Sequence, residues 1–73
     1  MITEILEFEE LSSIEQHFNT HPTTLNSFIF NNEEFFLQDI SRLSFSYYNE
    51  NNDELILIEI EQEKFSVFHS FIH

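Results

Sequence analysis

Apolar and polar residues alternate along most of this chain, most clearly over residues 54–61. Leu55-Ile56-Leu57-Ile58-Glu59-Ile60 is an apolar run rich in β-branched residues, with no Gly or Pro to interrupt it. Successive side chains of a strand point to opposite faces. Ile56, Ile58 and Ile60 therefore share one face, and Leu55, Leu57, Glu59 and Glu61 share the other. The first face is apolar throughout and is expected in the core. The second begins apolar and ends acidic.

The same test places the other elements. Ile2, Leu6 and Phe8 alternate with Thr3 and Glu7, which suits a short strand with Glu4 as the one misfit. Ser12 and Glu15 have the spacing of a capping box, and Leu11, Ile14 and Phe18 fall on one helical face, so a helix of two to three turns is expected, stopped by Pro22. Leu25 to Phe30 reads as a strand that turns at Asn31-Asn32. With no Gly in the chain, Asn is the residue best able to take a positive φ. Phe35-Phe36-Leu37 is the return strand of that hairpin. A helix over 32–43 is the rival, because Phe36, Leu37, Ile40 and Leu43 also make a usable stripe. Leu43 to Tyr47 alternates as a strand, and Asn49 to Asp53 is a polar loop.

Past Gln62 no turn residue appears. At 100° per residue, Phe65, Val67, Phe68, Phe71 and Ile72 occupy one arc, which predicts an amphipathic C-terminal helix. The expected fold is α+β over a single acidic domain, 1–73. It has a small antiparallel sheet of about four to five strands, a short helix in the N-terminal half and the C-terminal helix over one face.

Charge changes this picture. Fourteen acids face two bases, Arg42 and Lys64, for a net charge of −12. A small domain needs a net charge of only about 2–8 for solubility. Disorder, the usual partner of high charge, requires few apolar residues, yet 41% of this chain is hydrophobic and ten residues are Phe. A folded domain is expected. Richness in Phe, Ile and Asn is what AT-rich coding gives, but the same bias should also give Lys, and there is one. The missing positive charge points to selection for a basic partner.

Candidate chemistry is thin. His17/His21 and His69/His73 are spaced i, i+4, as a zinc-binding helix face would be, but no Cys supports either pair. Surface or helix-edge histidines are the better reading, and no metal or other cofactor is expected. Carboxylate pairs such as Glu9/Glu10 lack the cleft that gives two acids different environments. Without Gly no loop can cradle phosphate, and the oxygen-rich 49–53 stretch lacks calcium-loop spacing. An enzyme is not expected, nor direct binding to nucleic acid, which needs a basic patch. The N-terminus does not read as a signal peptide, no apolar run nears the roughly 20 residues of a membrane span, and an anionic surface is repelled by acidic lipid. A cytoplasmic protein is expected.

This leaves the acids as a binding surface. The candidates are Glu33 and Glu34 at the hairpin tip, Glu50, Asp53 and Glu54 in the long loop, and Glu59, Glu61 and Glu63 running off the central strand. The N-terminal Glu4, Glu7, Glu9 and Glu10 form a further group. Alternate residues of a strand stand about 6.8 Å apart, so Glu59 and Glu61 make a regular row of charge comparable with the ~3.4 Å phosphate spacing of a DNA strand. Tyr47, Tyr48 and Phe36 are the aromatic candidates for energetic anchors. The expected function is a small inhibitor that mimics nucleic acid in the channel of a basic nuclease or CRISPR effector. Phage proteins of anti-CRISPR or anti-restriction type do this in the host cytoplasm. The alternatives are an immunity protein or antitoxin that plugs a basic toxin, and a non-inhibitory interaction module, dimeric through its C-terminal Phe face.

Overall fold

The computed structural model describes residues 2–62 and 64–72. Its elements are β1 (Ile2–Phe8), α1 (Leu11–Phe18), a 3₁₀ turn (Pro22–Thr24), β2 (Ser27–Phe30), β3 (Glu33–Ser41), β4 (Ser44–Asn49), β5 (Glu54–Glu61) and β6 (Lys64–Phe71). The strands form one antiparallel sheet in the order β1-β6-β5-β4-β3-β2. β2 to β6 follow one another as hairpins, and β1 returns to pair with β6. The link from β1 to β2 must therefore cross the whole sheet, and α1 lies in that link.

The sheet curls around the helix. Phe30 on β2 and His69 on β6 have ring centroids 5.9 Å apart. Four strand spacings separate those strands, which on a flat sheet would be about 19 Å. The inner face holds the core: Phe28, Phe35, Tyr47, Ile56, Ile58 and Val67 are buried against Ile14 and Phe18 of α1. The expected split of β5 is borne out, with Ile56 and Ile58 both 0% exposed.

The C-terminal helix does not exist. Residues 64–71 are a strand, paired on one side with β5 and on the other with β1. The expected count of four to five strands rises to six, and α1 is the one α-helix among the described residues. The reason lies in Phe65, Val67, His69 and Phe71, which alternate onto the inner face, while Phe68 belongs to the outer one. Grouping Phe68 with the others at helical spacing gathered into one arc residues from both sides of a strand whose outer side is otherwise Lys64, Ser66 and Ser70. No Gly or Asn marks the connection, yet Glu61 is directly opposite Lys64, so β5 and β6 form a tight hairpin.

Asparagine replaces glycine throughout. Among the described residues, those with positive φ are Asn19, Asn31, Asn32 and Asn52. Asn31 and Asn32, at φ 53° and 64°, make the two-residue turn that matches strand twist, which settles 31–41 as a hairpin and not a helix. Asn19 ends α1 in the left-handed conformation, four residues after Glu15, so Asn19 and not Pro22 is the stop. The capping box does not form either. Glu10 is the N-cap, and Ser12 Oγ donates to the Glu10 carboxylate at 3.3 Å.

Two features fix the crossing link and the edge. Tyr47 Oη donates to the Pro22 carbonyl at 2.6 Å, which ties the 3₁₀ turn to the middle of β4. Burial pushes the Tyr47 phenol up from about 10 to about 12. On β3 the register shifts between Leu37 and Asp39, a bulge that turns Asp39 to the outer face beside Ser46.

Candidate protein-binding surfaces

Hairpin registers decide where the acids go. Phe30 pairs with Glu33, and Phe35 pairs with Asn49. The β2–β3 turn and the β4–β5 loop therefore lie at the same end of the sheet. Asn49 joins them, although it is only 4% exposed. Its Nδ2 donates to Glu33 Oε2 at 2.9 Å and to Asp53 Oδ1 at 2.5 Å. Its Oδ1 accepts the backbone N–H groups of Asp53 at 3.0 Å and Glu54 at 3.1 Å. One buried amide thus closes the loop and holds carboxylates from two connections side by side. The sequence reading took Asn49 only as a loop former. Its position, last in an alternating strand and four residues before Asp, was the signal for its second role.

At this end Glu33, Glu34 and Glu50 line a shallow cleft with Asn32, Phe36 and Asn51. Asp53 and Glu54 stand beside it. Neither Arg42 nor Lys64 is near: both lie in connections at the opposite end of the sheet, β3–β4 and the start of β6. The charge of Glu54 is partly engaged within the fold, since His69 Nε2 is 3.0 Å from its Oε2.

The row expected on β5 is separate from this cluster. Glu59 and Glu61 point to the outer face at the far end of β5. Glu61 is the register partner of Lys64, and Lys64 Nζ lies 3.3 Å from the Glu7 carboxylate. Glu59 sits between Ser44 and Ser66. Glu63 falls outside the described residues. The predicted acids therefore form two groups at opposite ends of the molecule, not one continuous ladder.

The aromatic candidates also divide. Tyr47 is fully buried and its hydroxyl is spent on Pro22, so it is a core residue and cannot anchor a partner. Tyr48 and Phe36 face outward as cross-strand neighbours, and Leu55 continues their row on β5. A second outer row runs Leu57, Phe68, Ile5 across β5, β6 and β1. This outer apolar band was not anticipated, because Phe68 and Ile5 were assigned to other faces or to none.

The histidine pairs dissolve as pairs. α1 ends at Phe18, so His21 lies outside the helix that carries His17, and it pairs with Glu15 instead. His69 is on a strand, packed on Phe71 with centroids 4.5 Å apart, and His73 falls outside the described residues. Among the described residues no cluster of three or more His, Cys, Asp or Glu could hold a metal ion, and no helix is long and apolar enough to cross a membrane. No protein-family model, curated protein or solved structure matches the chain.

Proposed function

We propose that this protein is a small acidic inhibitor that enters the nucleic-acid channel of a basic nuclease, or of another nucleic-acid-processing protein, and keeps the substrate out. The observation that carries the reading is the acidic end. Glu33, Glu34, Glu50 and Asp53 come together there from two connections, fastened by Asn49, with both cationic side chains of the chain at the other end. A channel built to bind phosphates offers Lys and Arg at short spacing, and clustered carboxylates satisfy the same donors. A net charge of −12 steers the encounter, so association is fast and falls with added salt. Preorganisation by Asn49 spares part of the entropy of ordering the loop on binding. A function of this kind is the one served by phage anti-CRISPR and anti-restriction proteins in the cytoplasm of the host.

The test is capture from a bacterial lysate on the immobilised protein. The expected catch is a nuclease or CRISPR effector that elutes with salt and is displaced by added DNA or guide RNA. A cognate toxin indifferent to nucleic acid would replace this reading with that of an immunity protein. A catch unaffected by salt would show that the acidic end is not the contact.

A further inference from the structure

The outer face of the sheet is mostly polar, with Thr3, Ser44, Ser46, Ser66 and Ser70 among its residues, but it also carries a patch of large apolar side chains. Antiparallel sheets with one solvated side normally put polar residues on it. Here α1 lies on the inner side. The outer side carries Leu57, Phe68 and Ile5 in one cross-strand row and Phe36, Tyr48 and Leu55 in the next. Ile5 is 59% exposed and Phe36 36%, while Tyr48, Leu55, Leu57 and Phe68 are half-buried. Contiguous exposed apolar patches mark interaction sites when they are large.

Charge brackets the band on both sides. The row beyond Leu57 holds Glu59, and also Glu7, which Lys64 already engages at 3.3 Å; the row beyond Phe36 holds Glu34, and Asp39 lies across Ser46 in the row of Leu57 itself. Rows of one face are about 6.8 Å apart, so the rows of Glu59 and Glu34 stand roughly 20 Å from each other, with the apolar patch between them. We propose that this face docks a basic amphipathic helix of a partner protein, with its apolar side on the band and a Lys or Arg near each end on the flanking glutamates. An α-helix spans 20 Å in about 13 residues, which fits the width of the band. A second copy of this chain is the wrong occupant. It would bring another net charge of −12 and set glutamates against glutamates. The inference rests on the reading of a basic partner and adds what the acidic end alone does not supply, an apolar contact that resists salt.

The experiment uses two fluorescein-labelled synthetic helical peptides of 16 residues and equal positive charge. One has Leu along one side, and the other has Gln in those places. Binding is followed by anisotropy. The Leu peptide is expected to bind about ten-fold tighter or more, a difference of about 1.4 kcal/mol. The double substitution Leu57→Thr, Phe68→Thr should abolish that preference and leave the salt dependence of the Gln peptide unchanged. Because that double variant could fail to fold, the unsubstituted protein is also titrated by NMR, where the amides of 55–57 and 66–70 should shift and those of 11–18 should not. Equal binding of the two peptides, shifts confined to α1, or a dimer in sedimentation that dissociates on Phe68→Thr would each overturn the proposal. None of these readouts involves nucleic acid. Failure of DNA to displace a captured partner therefore sinks the inhibitor reading alone, and indifference to the Leu side sinks the docking face alone.

Discussion

The middle of β5 carries a pair of aliphatic side chains on each face, and the two pairs meet different fates. Ile56 and Ile58 are sealed between α1 and the curl of the sheet, while Leu55 and Leu57, one residue away, face outward and are only half-buried. Alternating hydrophobicity tells which residues can be buried together. It does not tell what buries them. On the inner face the chain supplies its own cover, because the β1–β2 link must cross the sheet and carries Ile14 and Phe18 as it goes. On the outer face Leu55 and Leu57 are half-covered by their neighbours in the sheet, and the docking proposed above would complete the cover.

Stability measurements can break this contrast. The largest effect is expected from Ile58→Ala, which opens a cavity in a closed core and should cost about 2–5 kcal/mol in urea unfolding. Leu57→Ala, a similar loss of volume on the outer face, should cost well under half of that. Equal losses at the two positions would mean that the outer face is as tightly packed as the inner one.

Next comes an alkaline transition. The Tyr47 phenol is raised in the folded state from about 10 to about 12, so folding favours its neutral form. That contribution is complete below pH 10 and is lost as pH rises from 10 to 12. The slope is about 1.4 kcal/mol per pH unit, for a total of about 3 kcal/mol. Tyr47→Phe should flatten the alkaline limb and lower stability at pH 7 by about 1 kcal/mol through the bond lost to Pro22. A limb that survives in Tyr47→Phe would place the titrating group elsewhere.

Asn49→Ala is expected to cost about 1–3 kcal/mol, since it strips partners from two carboxylates and two backbone N–H groups at a buried site. Its more telling effect is on binding. The Glu33 and Asp53 carboxylates would no longer be held together, and affinity for a basic partner should fall even where the fold persists. The smallest effect is that of salt on the isolated protein. Screening relieves self-repulsion at a net charge of −12, so the urea midpoint should rise modestly between 10 mM and 200 mM NaCl.

Much of this architecture is legible in the sequence, and the misses have physical causes. β5 reads directly because one of its faces is purely apolar, and the Asn31-Asn32 turn reads because a chain without Gly has few residues that tolerate positive φ. β6 misleads because Phe68, the one apolar residue on its outer side, falls at helical spacing with the inner ones. With Phe68 added to the inner residues, five large side chains crowd into a helical arc, and the turn before them carries no Gly or Asn. Tyr47 was readable as core, since it alternates with Leu43 and Phe45, but its hydroxyl also suited an interface. The gathering of Glu33, Glu34, Glu50 and Asp53 required the hairpin register, and that emerges only when Phe35 is seen opposite Asn49. The outer band required knowing that β1 lies beside β6, a pairing of the two ends of the chain that no local pattern encodes.

The central claim is that the acidic end competes with nucleic acid for a basic channel. The most direct test is the affinity for the captured partner as a function of salt, with and without a DNA or RNA substrate, for the unsubstituted protein and for Glu34→Gln, Glu50→Gln. The account predicts affinity that falls steeply with salt, a competitive shift on adding nucleic acid, and a shallower salt slope in the double variant. A salt slope unchanged by the two substitutions, together with simultaneous binding of protein and nucleic acid, would contradict it.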